Sequence, residues 1–466
     1  MIEMSSSQLL KVGCVLIVED TVAGRRWGFP SNETLKEEME YLKSNVKKLE
    51  ESLEGVEFSD FLVVKSENDV IANSEKLVDA DVLLVFMFIG GAPAYAEVGK
   101  LYKTYGHSLE AVWGFGKPTV IFTRAEGEHM YDGNMRALAL IEEHRDVTGK
   151  SLWVVVNDWG YLCKVVKVLQ AIKRIKNTTV ITVGPPSSSL GSYNAMRAVA
   201  EKMGVKVIMS HFEEVIELYN SVKKEEVGEL VRDFLEKAKG LMEITKERVI
   251  DEATKSARLY LACKRLMKEK GAEVITFNCY EGGLKVLKEV APCFALSKLN
   301  DEGFLGVCES DFAAMAMMLL ARYIADKPSF LADVVVIPEK NQLLLAHCSC
   351  PTKLKGLKED PEPYYATTQY ETAQAITTKV LMSKGQVVTV LVPSFDLNEV
   401  VLMRGTIVES PNLPVCRNQA IVEISGDVTY LLEKYPGFHC VMLYGDHVRE
   451  FKMACKILGM KAIELH

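Results

Sequence analysis

Glu309 in Val-Cys-Glu-Ser-Asp, Asp333 in Phe-Leu-Ala-Asp-Val and His439 in Gly-Phe-His-Cys place two carboxylates and one imidazole on three separate segments. Brought together, such groups make an open site for a divalent cation. Carboxylate oxygens suit a hard ion, and one imidazole tilts the choice towards Mn²⁺ over Mg²⁺. The same carboxylates can move protons beside the metal. Each residue alone also has a plainer reading. Glu309 precedes an apolar helical run and can serve its N-terminus, a task that Ser310 or Asp311 can share. Asp333 can end a strand, and a lone histidine such as His439 is often a hydrogen-bonded core residue.

Other chemistry-bearing residues carry weaker signals. His347 lies in Leu-Leu-Ala-His-Cys, followed by Cys348 and Cys350, a C-x-C pair with no second pair to complete a zinc motif. Glu281 follows an apolar run in Asn-Cys-Tyr-Glu-Gly-Gly, where it either contacts a ligand or lies on a surface loop. Gly90-Gly91-Ala-Pro93 lacks the remaining glycines of a dinucleotide fingerprint. Gly184-Pro185-Pro186-Ser187 has no lysine for a phosphate loop, which argues against nucleotide binding.

Composition bounds the classes. A chain of 466 residues with 48% hydrophobic and 25% charged residues is globular and large enough for two or three cores. A formal net charge of −8 argues against nucleic acid or an anionic membrane as partner. The first residues lack the pattern of a secretory signal, and the longest apolar runs are too short for a membrane span. The eleven cysteines are scattered in apolar runs, so reduced thiols and a cytoplasmic location are expected.

The elements that must position these residues fall into three textures. Apolar runs at 12–18, 61–64, 82–89 and 118–122, with helical periodicity at 32–53, predict a parallel sheet covered by helices. Strands at 179–183 and 274–277, with helices at 194–203, across 213–270 and at 311–324, predict a second such layer structure. From 332 onward, short β-rich runs at 334–337, 343–346, 387–392, 400–407, 419–424 and 441–444 predict a small antiparallel sheet or barrel, closed by a helix at 448–458. The expected fold is therefore two consecutive Rossmann-like or flavodoxin-like α/β domains, 1–170 and 171–328, and a β-rich barrel-like domain, 329–466. Glu309 belongs to the second domain; Asp333, His347 and His439 belong to the third.

The motifs together resemble the L-fucose isomerase and L-arabinose isomerase superfamily, with the closer likeness to the fucose branch. Ala23-Gly24-Arg25-Arg26-Trp27-Gly28 is similar to the Gly-Arg-Arg-x-Gly loop of fucose isomerases. Glu309-Ser-Asp311 followed by Phe330-Leu-Ala-Asp333-Val is similar to their Glu-x-Asp and Phe-Ala-Asp-Val segments, with the fucose-branch spacing of 24 (333 − 309). Phe438-His439-Cys440-Val-Met-Leu is similar to their Asn-His-Gly-Val-Leu stretch. The resemblance implies an aldose–ketose isomerase acting on an open-chain sugar through an enediol, with Mn²⁺ or another divalent cation and no organic cofactor. It implies Glu309, Asp333 and His439 as metal ligands and Glu309 with Asp333 as the acid–base pair. Arg25 or Arg26 would lie near the substrate mouth and serve a neighbouring subunit in a trimer or hexamer. Glu281, Asp311 and Phe438 are carried over as sugar contacts, and His347 as a fourth ligand or a sugar contact. Phe438 stands where the family has asparagine, which alters the wall beside the sugar. Two alternatives remain: a non-catalytic sugar-binding or regulatory relative, and a metal-assisted lyase or epimerase on the same scaffold.

Overall fold

A computed structural model describes residues 9–18, 32–88, 108–109, 111–124, 152–279, 287–288 and 290–466. The chain divides into two compact units, 2–173 and 174–466. Arg25, Arg26, Glu281 and residues 90–93 lie outside the described residues.

In the first unit the apolar runs form a parallel sheet. Its strands are β1 (Leu10–Val18), β2 (Val56–Phe58), β3 (Leu62–Val64), β4 (Val82–Phe88), β5 (Thr119–Thr123) and β6 (Leu152–Val156). The order is β2-β1-β4-β5-β6, with β3 also paired to β1. Successive residues such as Val15, Leu16 and Ile17 are all buried, as in a parallel sheet covered on both faces.

The second unit begins with another parallel sheet, of β7 (Thr179–Val183), β8 (Lys206–Ser210), β9 (Val274–Phe277) and β10 (Leu305–Val307), in the order β10-β9-β7-β8. Gly306 in β10 lies against the Cys293–Asp301 helix. A Cβ there would come within 2.6 Å of the Leu296 backbone, so only glycine lets strand and helix approach so closely.

The Phe312–Ile324 helix is apolar all round, as a helix buried on every side must be. It packs on the Ser192–Met203 helix and on the barrel that follows. That barrel uses β11 (Phe330–Ile337), β12 (Gln342–His347), β15 (Val387–Pro393), β16 (Glu399–Glu409), β17 (Asn418–Ile424) and β18 (Cys440–Tyr444). Between β12 and β15 lies a hairpin of β13 (Tyr364–Thr368) and β14 (Ile376–Val380). The barrel strands run β15-β18-β11-β12-β17-β16, and pairing of β16 with β15 closes the ring; β19 (Lys461–Glu464) adds in parallel to β16. Closure leaves no free edge in the ring. The molecule is thus two parallel-sheet α/β layers followed by a closed antiparallel barrel, as the sequence patterns predict.

The helical segments expected across the charged region 213–270 are three α-helices and a short 3₁₀ turn. The Phe212–Ser221 and Gly228–Lys237 helices end before the Lys246–Lys270 helix begins. Extended residues, Val222 and Ala238 with backbone ψ near 120° and 138°, break the helical hydrogen-bond ladder there.

Candidate metal centre

A cavity of about 410 Å³ opens at the carboxyl ends of the second parallel sheet, where ligands gather in open α/β sheets. Ser189 and Leu190 reach it from the loop after β7, Cys279 from the end of β9, and Cys308 and Glu309 from the end of β10. Asp333, His347 and Phe438 reach it from the barrel.

Glu309 owes its direction to an uncommon backbone. After β10 the chain passes through two successive non-glycine residues in the left-handed region, Glu309 at φ 60° and Ser310 at φ 50°. Each such residue costs on the order of 1 kcal/mol, and strain of this kind gathers at functional sites. The turn buries Ser310, whose hydroxyl lies 3.2 Å from that of Thr182, and turns the Glu309 carboxylate into the cavity.

Asp311 then caps the Phe312–Ile324 helix by accepting from the Ala314 N–H at 2.9 Å. Its other oxygen sits 2.9 Å from His439 Nδ1. Asp311 is buried and is not among the residues lining the cavity; it stands behind the imidazole. One carboxylate serves both helix and histidine.

The barrel register brings the remaining groups together. Asp333 on β11 faces Ala346 of β12, one residue before His347, while Ala332 faces Cys440 of β18, one residue after His439. Three adjacent strands therefore present Asp333, His347 and His439 at one end. His439 Nε2 lies 3.6 Å from Asp333 Oδ1 and 3.7 Å from Glu309 Oε2; His347 Nε2 lies 3.3 Å from Glu309 Oε1. Ligand atoms of Asp333, His347 and His439 all lie within 4.8 Å of one another, as do those of Cys308, Glu309 and His347.

The electrostatics favour a cation. With Nδ1–H given to Asp311, His439 turns a bare Nε2 lone pair towards two carboxylates. That atom is fully buried and has no hydrogen-bond partner. A buried acceptor facing two more acceptors is costly unless positive charge sits among them. Asp311 behind the ring is also the usual carboxylate support of a metal-binding histidine. The residues therefore fit a divalent ion of the Mn²⁺ or Mg²⁺ type.

Charge is uneven across the site. Burial alone would raise the Glu309 carboxyl, but the hydrogen bond and charge of His347 hold it below the ordinary value. Burial alone would lower His347, yet the bond to Glu309 and the charges of Glu309 and Asp333 push it up to about 9. The Cys348 thiol is brought down to about 6, chiefly by the hydrogen bond from Cys416, against the effect of burial.

Several lining residues carried no site signal in the sequence: Ser189, Gln369, Glu371, Cys293 and Cys416. Cys279, Cys308 and Cys348 also line the cavity; scattered over apolar segments, the cysteines give no sign in the sequence that several thiols share one place. Phe438 does line the cavity, half-exposed, with its ring edge-on to His439 at 4.7 Å.

Residues 195–327 match the family model of the L-arabinose isomerase central domain. That segment carries Glu309 and Asp311 but ends before Asp333. The chain is also similar to a sulfoquinovose isomerase of Alkalicoccus urumqiensis, at 30% identity over 102 residues. This match covers 21% of the chain and 23% of the relative, so the chain is aligned with only about a quarter of that protein's length. Residues 195–327, which supply the strained Glu309 turn, are thus similar to the L-arabinose isomerase central domain.

Proposed function

We propose that the protein is a divalent-metal-dependent aldose–ketose isomerase acting on an open-chain sugar. The observation that carries this reading is the unpartnered Nε2 of buried His439, facing Glu309 and Asp333 across less than 4 Å. Likeness to sugar isomerases supports it.

Glu309, Asp333 and His439 would hold the cation, which supplies Lewis acidity towards neighbouring sugar oxygens when bound. Asp311 keeps the His439 proton on Nδ1 and so keeps Nε2 available as a ligand. Glu309 and Asp333 carry the proton traffic of the reaction, in which one proton moves between C1 and C2 through an enediol. His347 holds Glu309 Oε1 in place at 3.3 Å. The cavity volume lies in the roughly 300–1,000 Å³ range of small-molecule sites. Phe438 supplies an apolar wall beside the sugar. Within this reading the physiological ion is Mn²⁺, and the fucose-branch spacing of Glu309 and Asp333 points to an L-fucose-like or D-arabinose-like sugar or a modified relative.

The test is product analysis. Metal-stripped protein is incubated with L-fucose, L-arabinose and sulfoquinovose, with and without Mn²⁺, and the products are identified by NMR. The expected result is ketose formed only with metal. Chain cleavage of the sugar, or ketose formation indifferent to a chelator, would contradict the proposal.

A further inference from the structure

The cavity holds sulfur as well as oxygen. Cys279 and Cys308 follow neighbouring strands β9 and β10, and their sulfurs lie 3.5 Å apart. That separation is far longer than the ~2.05 Å of a disulfide. It is close to the spacing of two thiolates on one tetrahedral zinc, about 3.8 Å for Zn–S bonds of about 2.3 Å. The Cys308 sulfur, a Glu309 oxygen and a His347 nitrogen also lie within 4.8 Å of one another. Cys308 is thus common to a close pair of sulfurs and to a cluster with an imidazole and a carboxylate.

We propose that Cys279, Cys308 and His347, with Glu309 as fourth donor, form a second cation position that takes a thiophilic ion such as Zn²⁺ or Cd²⁺. Thiolate selects soft and borderline ions, whereas the Glu309–Asp333–His439 set suits hard ones. The two positions share Glu309, so they compete. An ion on the sulfurs draws Glu309 and His347 away and leaves Asp333 and His439 without their third partner. Binding exchanges two thiol protons for one cation; no oxidation is involved, and both protons pass to solvent. Cys279 and Cys308 are free thiols, which this requires. Sugar turnover plays no part in binding at this position, so it stands or falls separately from the isomerase reading.

The test uses the full-length, metal-stripped protein. One equivalent of Zn²⁺ is added to the unaltered protein and its neighbours are counted by X-ray absorption spectroscopy. Two sulfur neighbours are expected; a shell of nitrogen and oxygen alone would overturn the proposal. With Cd²⁺, a thiolate-to-metal charge-transfer absorption is expected. Cys279→Ser and Cys308→Ser should each reduce that absorption and weaken Zn²⁺ binding by roughly tenfold or more. Cys348→Ser, from the other thiol pair in the cavity, should leave the absorption unchanged. Loss of the signal in Cys348→Ser with retention in both other variants would place the ion elsewhere and refute the assignment.

Discussion

At the scale of single residues, the site turns on how few atoms decide its charge. Glu309 is the carboxylate that faces both imidazoles: His347 at 3.3 Å and His439 at 3.7 Å. Glu309→Gln keeps the shape but removes a negative ligand and a proton carrier. Isomerisation is expected to fall by roughly 10²–10⁴-fold or more while the thermal melting profile stays near that of the unaltered protein. Near-normal turnover in that variant would remove Glu309 from the chemistry. Asp311 acts through another residue and is a positioning group. Asp311→Asn leaves a helix cap but loses the charge behind His439, so Mn²⁺ affinity is expected to drop about 10–100-fold in calorimetric titration. Unchanged metal affinity would reduce Asp311 to a helix cap. Glu309, Asp333 and His439 are each ambiguous alone in the sequence; the resemblance of their segments to sugar isomerases is what singles them out as a set. The second task of Asp311 and the gathering of five cysteines are not legible there, because both depend on which distant strands become neighbours.

At the scale of elements, the strained turn after β10 makes a prediction of its own. Glycine adopts φ near 60° without penalty, so Glu309→Gly relieves on the order of 1 kcal/mol of strain and frees a half-buried carboxylate. The variant is expected to be inactive yet to unfold at a higher urea concentration. A lower midpoint would mean that the Glu309–His347 contact outweighs the strain. A second element shows the effect of pH. Asp301, at the end of the Cys293–Asp301 helix, accepts from the Thr352 hydroxyl at 2.7 Å and the Lys353 N–H at 2.8 Å. Burial nevertheless pushes its carboxyl up to about 6. The folded state then holds the Asp301 proton more tightly than the unfolded chain, whose aspartates titrate near 4. Its contribution to stability is full below about pH 4 and is lost as pH rises through about 6. Asp301→Asn should flatten the fall of stability between those values, measured by denaturant titration across pH; an unchanged slope would show that Asp301 does not cause it.

Elements were legible to different degrees for physical reasons. β7 and β9 follow directly from short apolar runs, Thr179–Val183 and Val274–Phe277, buried along almost their whole length. β13 and β14 carry threonines and a lysine, Tyr-Tyr-Ala-Thr-Thr and Ile-Thr-Thr-Lys-Val, and lack the alternation or apolar run that marks a strand. They are strands because each supplies the other's backbone partners. β8 lies at a sheet edge with exposed Lys206 and Met209, so its pattern is that of a surface segment. β19, which pairs with one strand alone, is likewise absent from the sequence expectation.

At the scale of the whole molecule, the strand order of the barrel is the feature least visible in the sequence. β18 inserts between β15 and β11, and β16 pairs on both sides, so the ring depends on contacts between residues far apart in the chain. The outcome is functional as well as architectural: the order β18-β11-β12 sets His439, Asp333 and His347 side by side. No helix among the described residues is long and apolar enough to cross a membrane. The resemblance of the 23–28 loop to one that serves a neighbouring subunit leads us to propose assembly as a trimer or hexamer. Analytical ultracentrifugation of the active protein should give three or six chains per particle; a fully active monomer would contradict this.

The most direct test of the account is a crystal of the protein soaked in Mn²⁺, with anomalous scattering measured at the manganese edge. The account predicts one peak among a Glu309 carboxylate oxygen, an Asp333 carboxylate oxygen and His439 Nε2, with Asp311 still bonded to Nδ1. Full binding of Mn²⁺ elsewhere, with His439 Nε2 hydrogen-bonded only to protein or water, would contradict it.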